Sequence, residues 1–188
     1  EVSRAASMSM LILSSGIYFL VDPYVNHGPT AEQIADFTVL AAQEVRRFGI
    51  TPKAAMLSHS NFGSSNRPTA RKMRVAVDLI RKLDPRLEVD GEMHAQTALS
   101  EDLREKMVSD SNLTGSANLL VLPSLDAANI SYGLIRMLGN GMAIGPMLLG
   151  MKQPAHILQE GATARGIINM TALMVVEAQS ETDGELLL

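Results

Sequence analysis

The chain has 188 residues, 46% hydrophobic and 19% charged, with a formal net charge of −4. That balance describes a folded domain with a real core, and the mildly acidic charge argues against general nucleic-acid binding. Zero cysteines exclude disulfides and zinc–thiolate sites, and no apolar run reaches the roughly 18–20 residues that span a bilayer.

A cytoplasmic location is therefore expected, with neither nucleic acid nor membrane as partner. The first residue is Glu1, which leads us to expect a piece of a longer protein.

In chain order, the apolar runs Met8–Leu13 and Ile17–Asp22 flank Ser14, Ser15 and Gly16, the pattern of a hairpin. Thr30 with Gln33 three residues on makes a capping box. Ile34, Phe37, Ala41, Val45 and Phe48 then recur at helical spacing up to Gly49, a C′ glycine. Lys53–Ser58 reads as a buried strand, Thr69–Asp84 as an amphipathic helix, and Leu87–Asp90 as a short strand. One polar helix is expected over Thr97–Met107, a strand over Ala117–Leu122, a helix over Ala127–Leu138, and a strand over Ala143–Leu149. Thr163 caps a last helix running to about Gln179, apolar over most of its circumference and in need of cover on more than one side. Alternating strands and helices imply an α/β fold, a mainly parallel sheet with helices on both faces. The closing leucines, Leu186–Leu188, fit no element.

Four stretches invite a chemical reading. "LSHSNFGSS", residues Leu57–Ser65, follows the C-terminal end of a strand, where open α/β sheets place ligands. Its hydroxyls and backbone N–H groups suit an oxyanion, and they equally suit an ordinary polar loop leading into a helix. Between Arg46 and Arg86 lie ten of the sixteen basic residues but only two acids, Asp78 and Asp84. This excess suits a polyanionic ligand or an acidic partner, or else a solvated helix face carrying Arg71, Lys72, Arg74, Arg81 and Lys82. Asp90, Glu92 and His94 alternate as strand ligands for a metal would, but no further ligand stands at motif spacing and no metal site is assigned. "GNGMAIG" at Gly139–Gly145 has its third glycine one residue late and follows a helix, so it reads as a turn and not as a dinucleotide fingerprint. The methionines read as core filler.

Near the C-terminus, "LQEGATARGIIN" at Leu158–Asn169 announces a helix start shaped for an anion. Yet Gln159 and Glu160 line its approach.

Several stretches together resemble the phosphate acetyl/butyryl transferase family: "VSR" at Val2–Arg4, "GPTAEQIA" at Gly28–Ala35, "FGITPKAAMLSHSNFGSS" at Phe48–Ser65 and "DGEMHAQTAL" at Asp90–Leu99, then "GSANLLVLPSLDAANISYGLIRMLG" at Gly115–Gly139 and "AIGPMLLGMKQPAHIL" at Ala143–Leu158. The resemblance implies an isocitrate dehydrogenase-like pair of α/β lobes, a dimer, and coenzyme A in the cleft between the lobes. On that pattern residues 1–142 form the second lobe, 143–180 return to a first lobe whose beginning lies outside this chain, and 181–188 are a tail. Active members carry Ser-Arg-Gly at the helix entrance and an Asp further on, at the positions of Gln159, Glu160, Gly161 and Gly166. The Arg holds acyl phosphate, the Ser stabilises the developing thiolate, and the Asp is the proposed thiol base. Only the glycine survives here, and a carboxylate at Glu160 repels phosphate. The resemblance therefore assigns no catalytic residue.

It offers as ligand residues for CoA or phosphate Arg4, Ser58, Ser60, Asn61, Gly63, Ser64, Ser65, Gly150, Met151, Gln153, Gly161 and Arg165. The hypothesis is one pocket shared by Ser58–Ser65, the Gly150–Gln153 turn and the last helix's N-terminus. "VRRFGITP", "SHSNFGSS" and "DGEMH" look like the C-terminal domain of bacterial hybrid NADP-dependent malic enzymes. That likeness implies a non-catalytic domain that builds the oligomer, senses acetyl-CoA and partners the malate-oxidising N-terminal domains, where NADP and a divalent metal would bind. A working phosphate acetyltransferase and a purely structural dimerisation domain are the rival expectations.

Overall fold

The computed structural model describes residues 5–185, with side chains through residue 179; Arg4 and the terminal leucines lie outside the described residues. The chain opens with the hairpin β1 (Ala6–Leu13) and β2 (Gly16–Val21), paired antiparallel from Met8 with Val21 to Leu13 with Gly16. Helix α1 (Ala31–Arg47) starts at the expected capping box. Gln33 N–H donates to Thr30 Oγ1 at 3.3 Å, and Thr30 N–H donates to Gln33 Oε1 at 2.9 Å. Gly49 just past the helix has a φ of 72°, the left-handed geometry that a C′ position asks of glycine.

Then follow β3 (Lys53–Leu57), α2 (Pro68–Leu83) and β4 (Glu88–Met93). The single polar helix expected over 97–107 is two: α3 (Ala95–Leu99) and α4 (Glu101–Met107). Ser100 separates them in an extended conformation, its hydroxyl accepting from Leu103 N–H, with Glu101 and Asp102 in the new first turn. The hydroxyl and the two acids favour a fresh N-terminus over a continuing helix. The remaining elements are β5 (Leu119–Val121), α5 (Leu125–Leu138), β6 (Met142–Leu149) and α6 (Ala164–Glu185).

One six-stranded sheet runs β4-β3-β5-β2-β1-β6. The pairs β3–β4, β3–β5 and β2–β5 are parallel, while β1 lies antiparallel between β2 and β6. Alternation along each strand sends residues to two cores. Met10, Phe19, Val21, Met56 and Val121 pack with α1, α2 and Met170 of α6, while Leu11, Leu20, Leu57 and Leu120 pack with Ala98 of α3 and Tyr132 of α5. The segment expected to return to a first lobe begins as this sheet's edge strand, Met142 to Leu149 along β1. Gly145 permits the close approach: a Cβ there would sit 3.1 Å from the Met8 carbonyl oxygen, and its φ is 131°.

Helix α6 covers that edge with one stripe only. Met170 is buried and Leu173 is packed against the core, while Ile168 is 67% and Val176 57% exposed. On α5, Ile130, Leu134, Met137 and Leu138 are likewise exposed at one helical face. No helix among the described residues is long and apolar enough to cross a membrane.

A buried carboxylate fixes the first strand. Asp22 Oδ1 accepts from Ser7 N–H, the Ser7 hydroxyl and Val25 N–H, and Oδ2 accepts from the Asn26 N–H and side-chain amide, all at 2.8–3.2 Å. Asp22→Ala leaves the buried Ser7 donors without an acceptor and should cost about 2–4 kcal/mol of stability. Urea unfolding measures this; a loss under about 1 kcal/mol contradicts the role assigned to the cluster.

Candidate functional site

The entrance of α6 is built by three pieces of chain. The strand β6 supplies Ala143, Ile144 and Gly145, the last turns of α5 supply Tyr132 and Arg136, and the approach to α6 supplies Gln159, Gly161 and Thr163. Between them lies a cavity of about 240 Å³, floored by Gly166, Asn169 and Met170 of α6 itself. Thr163 caps the helix as expected: its hydroxyl accepts from Gly166 N–H at 3.1 Å and its carbonyl from Ile167 N–H at 2.9 Å. The N–H groups of Ala164 and Arg165 remain as the unpaired donors of that end, which carries partial positive charge.

No Asp, Glu or His lines this cavity among the described residues. Burial, with the neighbouring Tyr24 adding to it, pushes the Tyr132 phenol up to about 12, so at neutral pH it is a hydrogen-bond donor and not a base. Glu160 and Arg165 are exposed beside the cavity and do not line it. Among the described residues, Arg136 is the one cation that does. Neither Arg136 nor Tyr132 was expected from the sequence, because α5 lies more than 20 residues upstream of the α6 approach.

The Ser58–Ser65 loop lies elsewhere. It follows β3, and β6 stands four strands away in the sheet, or about 19 Å at the usual spacing. The Gly150–Gln153 turn lies at the opposite end of β6 from the α6 entrance, a rise of about 23 Å. Gly150, Met151 and Gln153 line a smaller cavity, about 130 Å³, with Glu44, Arg47 and Glu177. Within this chain the structure does not bring the three expected ligand stretches into one pocket.

Two of the loop's donors and a guanidinium from α2 are already engaged by the protein's own carboxylate. Glu92 is fully buried, and its Oε1 accepts from the Ser60 hydroxyl at 2.5 Å, the Arg74 guanidinium at 2.8 Å and Gly63 N–H at 3.1 Å. The Ser58, Ser64 and Ser65 hydroxyls accept from the N–H groups of Ser60, Asn61 and Arg67, and the Asn61 side chain accepts from His94 N–H. Glu92 thus occupies the place an incoming anion was expected to take.

Much of the basic segment is likewise tied to the protein. Arg46 pairs with Asp84, Arg74 with Glu92 and Arg81 with Asp90, while the Lys72 ammonium donates to the carbonyls of Pro29 and Pro123 and the Lys53 ammonium to Thr114. Burial lowers the Lys72 pKa. Asp90, Glu92 and His94 do not converge: Asp90 meets Arg81, Ser111 and Asn112, and the His94 ring bonds the His59 carbonyl.

A family model described as Phosphate acetyl/butaryl transferase matches residues 1–175. The chain is 54% identical to an NAD-dependent malic enzyme of Rhizobium meliloti over 92% of its own length and 22% of the relative's. It is 50% identical to an NADP-dependent malic enzyme of Escherichia coli, over 96% of this chain and 24% of that one. A phosphate acetyltransferase of Corynebacterium glutamicum shares 33% identity, over 95% of this chain and 54% of the relative. In structure, a phosphotransacetylase from Streptococcus pyogenes superposes with a TM-score of 0.91 at 33% identity, covering 95% of this chain and 55% of that one. The chain therefore spans about a quarter of these malic enzymes and about half of the Corynebacterium and Streptococcus transferases.

Glu92→Ala should unpair Ser60, Gly63 and Arg74 together. We expect a loss of about 2–4 kcal/mol, moderated by the partial exposure of Arg74, and faster amide exchange across residues 60–65. Unchanged exchange in that loop contradicts the internal-anion reading.

Proposed function

The chain belongs to the phosphate acetyl/butyryl transferase family, and from that premise we propose that it is a regulatory, oligomer-building domain that responds to acyl-CoA without transferring acyl groups. It resembles the transferase-like region of bacterial malic enzymes and the phosphate acetyltransferases themselves. The observation that carries the proposal is the α6 entrance, which keeps an anion-receiving helix end and lacks a base.

Acyl transfer to a thiol requires the thiol to lose its proton, the thiolate to attack the acyl carbon, and the carbon–oxygen bond to phosphate to break. General base catalysis needs a group in reach that is unprotonated near neutral pH. Gly166 offers no side chain, Gln159 is not basic, and the Tyr132 phenol, near 12, stays protonated. What the cavity does supply suits binding: the neutral groups of Gln159 and Asn169 and the Arg136 guanidinium, with the first N–H groups of α6 beside it. In this reading Arg136 is the cation for a phosphate or for an anionic group of acetyl-CoA.

The exposed apolar faces of α5 and α6 support the oligomeric half of the reading, with cover supplied by a second copy or by N-terminal domains of a longer chain. Both nicotinamide cofactors occur in the relatives' names, so which one a parent enzyme uses is a property of the parts outside this chain.

The full-length protein should form no acetyl-CoA from acetyl phosphate and CoA above an enzyme-free control, and Glu160→Arg should not restore it, since Gly166 still provides no base. Turnover above that control identifies a working transferase and rejects the proposal. In calorimetric titration with acetyl-CoA, Arg136→Ala should weaken binding about tenfold. Equal affinity for both proteins removes Arg136 from the site.

A further inference from the structure

The cavity beside the Gly150–Gln153 turn holds an uneven set of charges. Glu44 comes from α1 and Glu177 from α6, with side chains only 6% and 10% exposed. Arg47 of α1, half exposed, stands 2.9 Å from Glu44 and 4.0 Å from Glu177. His156, on the segment that returns along β6 opposite Met147, has a buried ring 3.1 Å from the second Glu177 oxygen, at an angle that makes no hydrogen bond. No other charged or titratable side chain lines the cavity among the described residues; β6 and its turn bring only Leu148, Leu149 and uncharged turn residues.

Two carboxylates and one guanidinium leave an excess negative charge where water solvates it poorly. A single added proton removes that excess. We propose that seating of α6 against α1 is proton-linked, with the Glu44–Glu177 pair taking up one proton when the helix docks.

Burial, and then the charge of Glu177, raise the Glu44 carboxyl above its usual range. The seated state therefore holds more protons than the unseated one. By linkage, seating is firmest below the carboxyl's ordinary value, weakens as pH climbs from there through the raised value, and levels off above it. The device sits far from the α6 entrance: Glu177 lies 8 to 11 residues along the helix from Asn169 and Gly166, or about 12–16 Å. It does not rest on the acyl-CoA reading, although any ligand preferring the seated helix would shift the same equilibrium.

The test is hydrogen exchange of the peptide spanning residues 167–179 in the full chain, corrected for intrinsic rates, from about pH 4, near the ordinary carboxyl value, to about pH 8. In the wild type, protection should fall by up to about tenfold per pH unit through the transition. Glu44→Gln removes the proton requirement, so its protection should stay level across the range. Should that variant fail to fold, Glu177→Gln carries the same expectation. A flat wild-type profile, or an equally steep profile in the folded glutamine variant, overturns the proposal.

Discussion

The carboxylate of Asp22 is the constraint on which the rest of the molecule depends. It binds both Ser7 in the first strand and Val25 and Asn26 in the connection that leads to α1. That strand is antiparallel to both its neighbours, so it converts a parallel sheet into one that accepts β6 at its edge. The candidate site is built on that edge. Strand β6 carries the chain up to the Gly150 turn, the return segment brings it back past Met147, and α6 starts where β6 began. Loosen the first strand, and the cavity at the α6 entrance loses the support of its β6 wall.

Two places in this chain have the donors an anion needs, and the structure uses them differently. At the loop after β3, the Ser60 hydroxyl, the Gly63 N–H and the Arg74 guanidinium meet Glu92, so the carboxylate at that place is the protein's own. At the α6 entrance no carboxylate lines the cavity and the helix end keeps unpaired donors. The same elementary preference, backbone N–H for negative charge, produces a structural clamp in one case and the proposed binding position in the other. The difference lies in which side chain arrives from a neighbouring element.

That difference explains what was legible in the sequence. The Thr30–Gln33 box, the Gly49 C′ position and the Thr163 cap are local chemistry, readable over three or four residues, and the structure has each of them. The alternation of strands with helices foretold an α/β sheet covered on both faces, and the structure has one. The break at Ser100 was missed because apolar and polar periodicity continues through it, while a hydroxyl followed by two acids was the signal available. Partners contributed across the fold left no such trace. Arg136 and Tyr132 reach the α6 entrance from an earlier helix, Glu44 meets Glu177 from the far end of the chain, and half of the basic segment is consumed by internal carboxylates and carbonyls. Sequence spacing cannot show a sheet order that separates β3 from β6 by three strands.

The central claim is that ligand binding belongs to the α6 entrance and that chemistry does not follow. A crystal structure of the full-length protein grown with acetyl-CoA tests this most directly. The account predicts intact acetyl-CoA with an anionic group against Gly161–Gly166 and the Arg136 guanidinium, and Glu92 still holding Ser60 and Gly63. Acetyl-CoA seated in the Ser58–Ser65 loop with Glu92 displaced would contradict it.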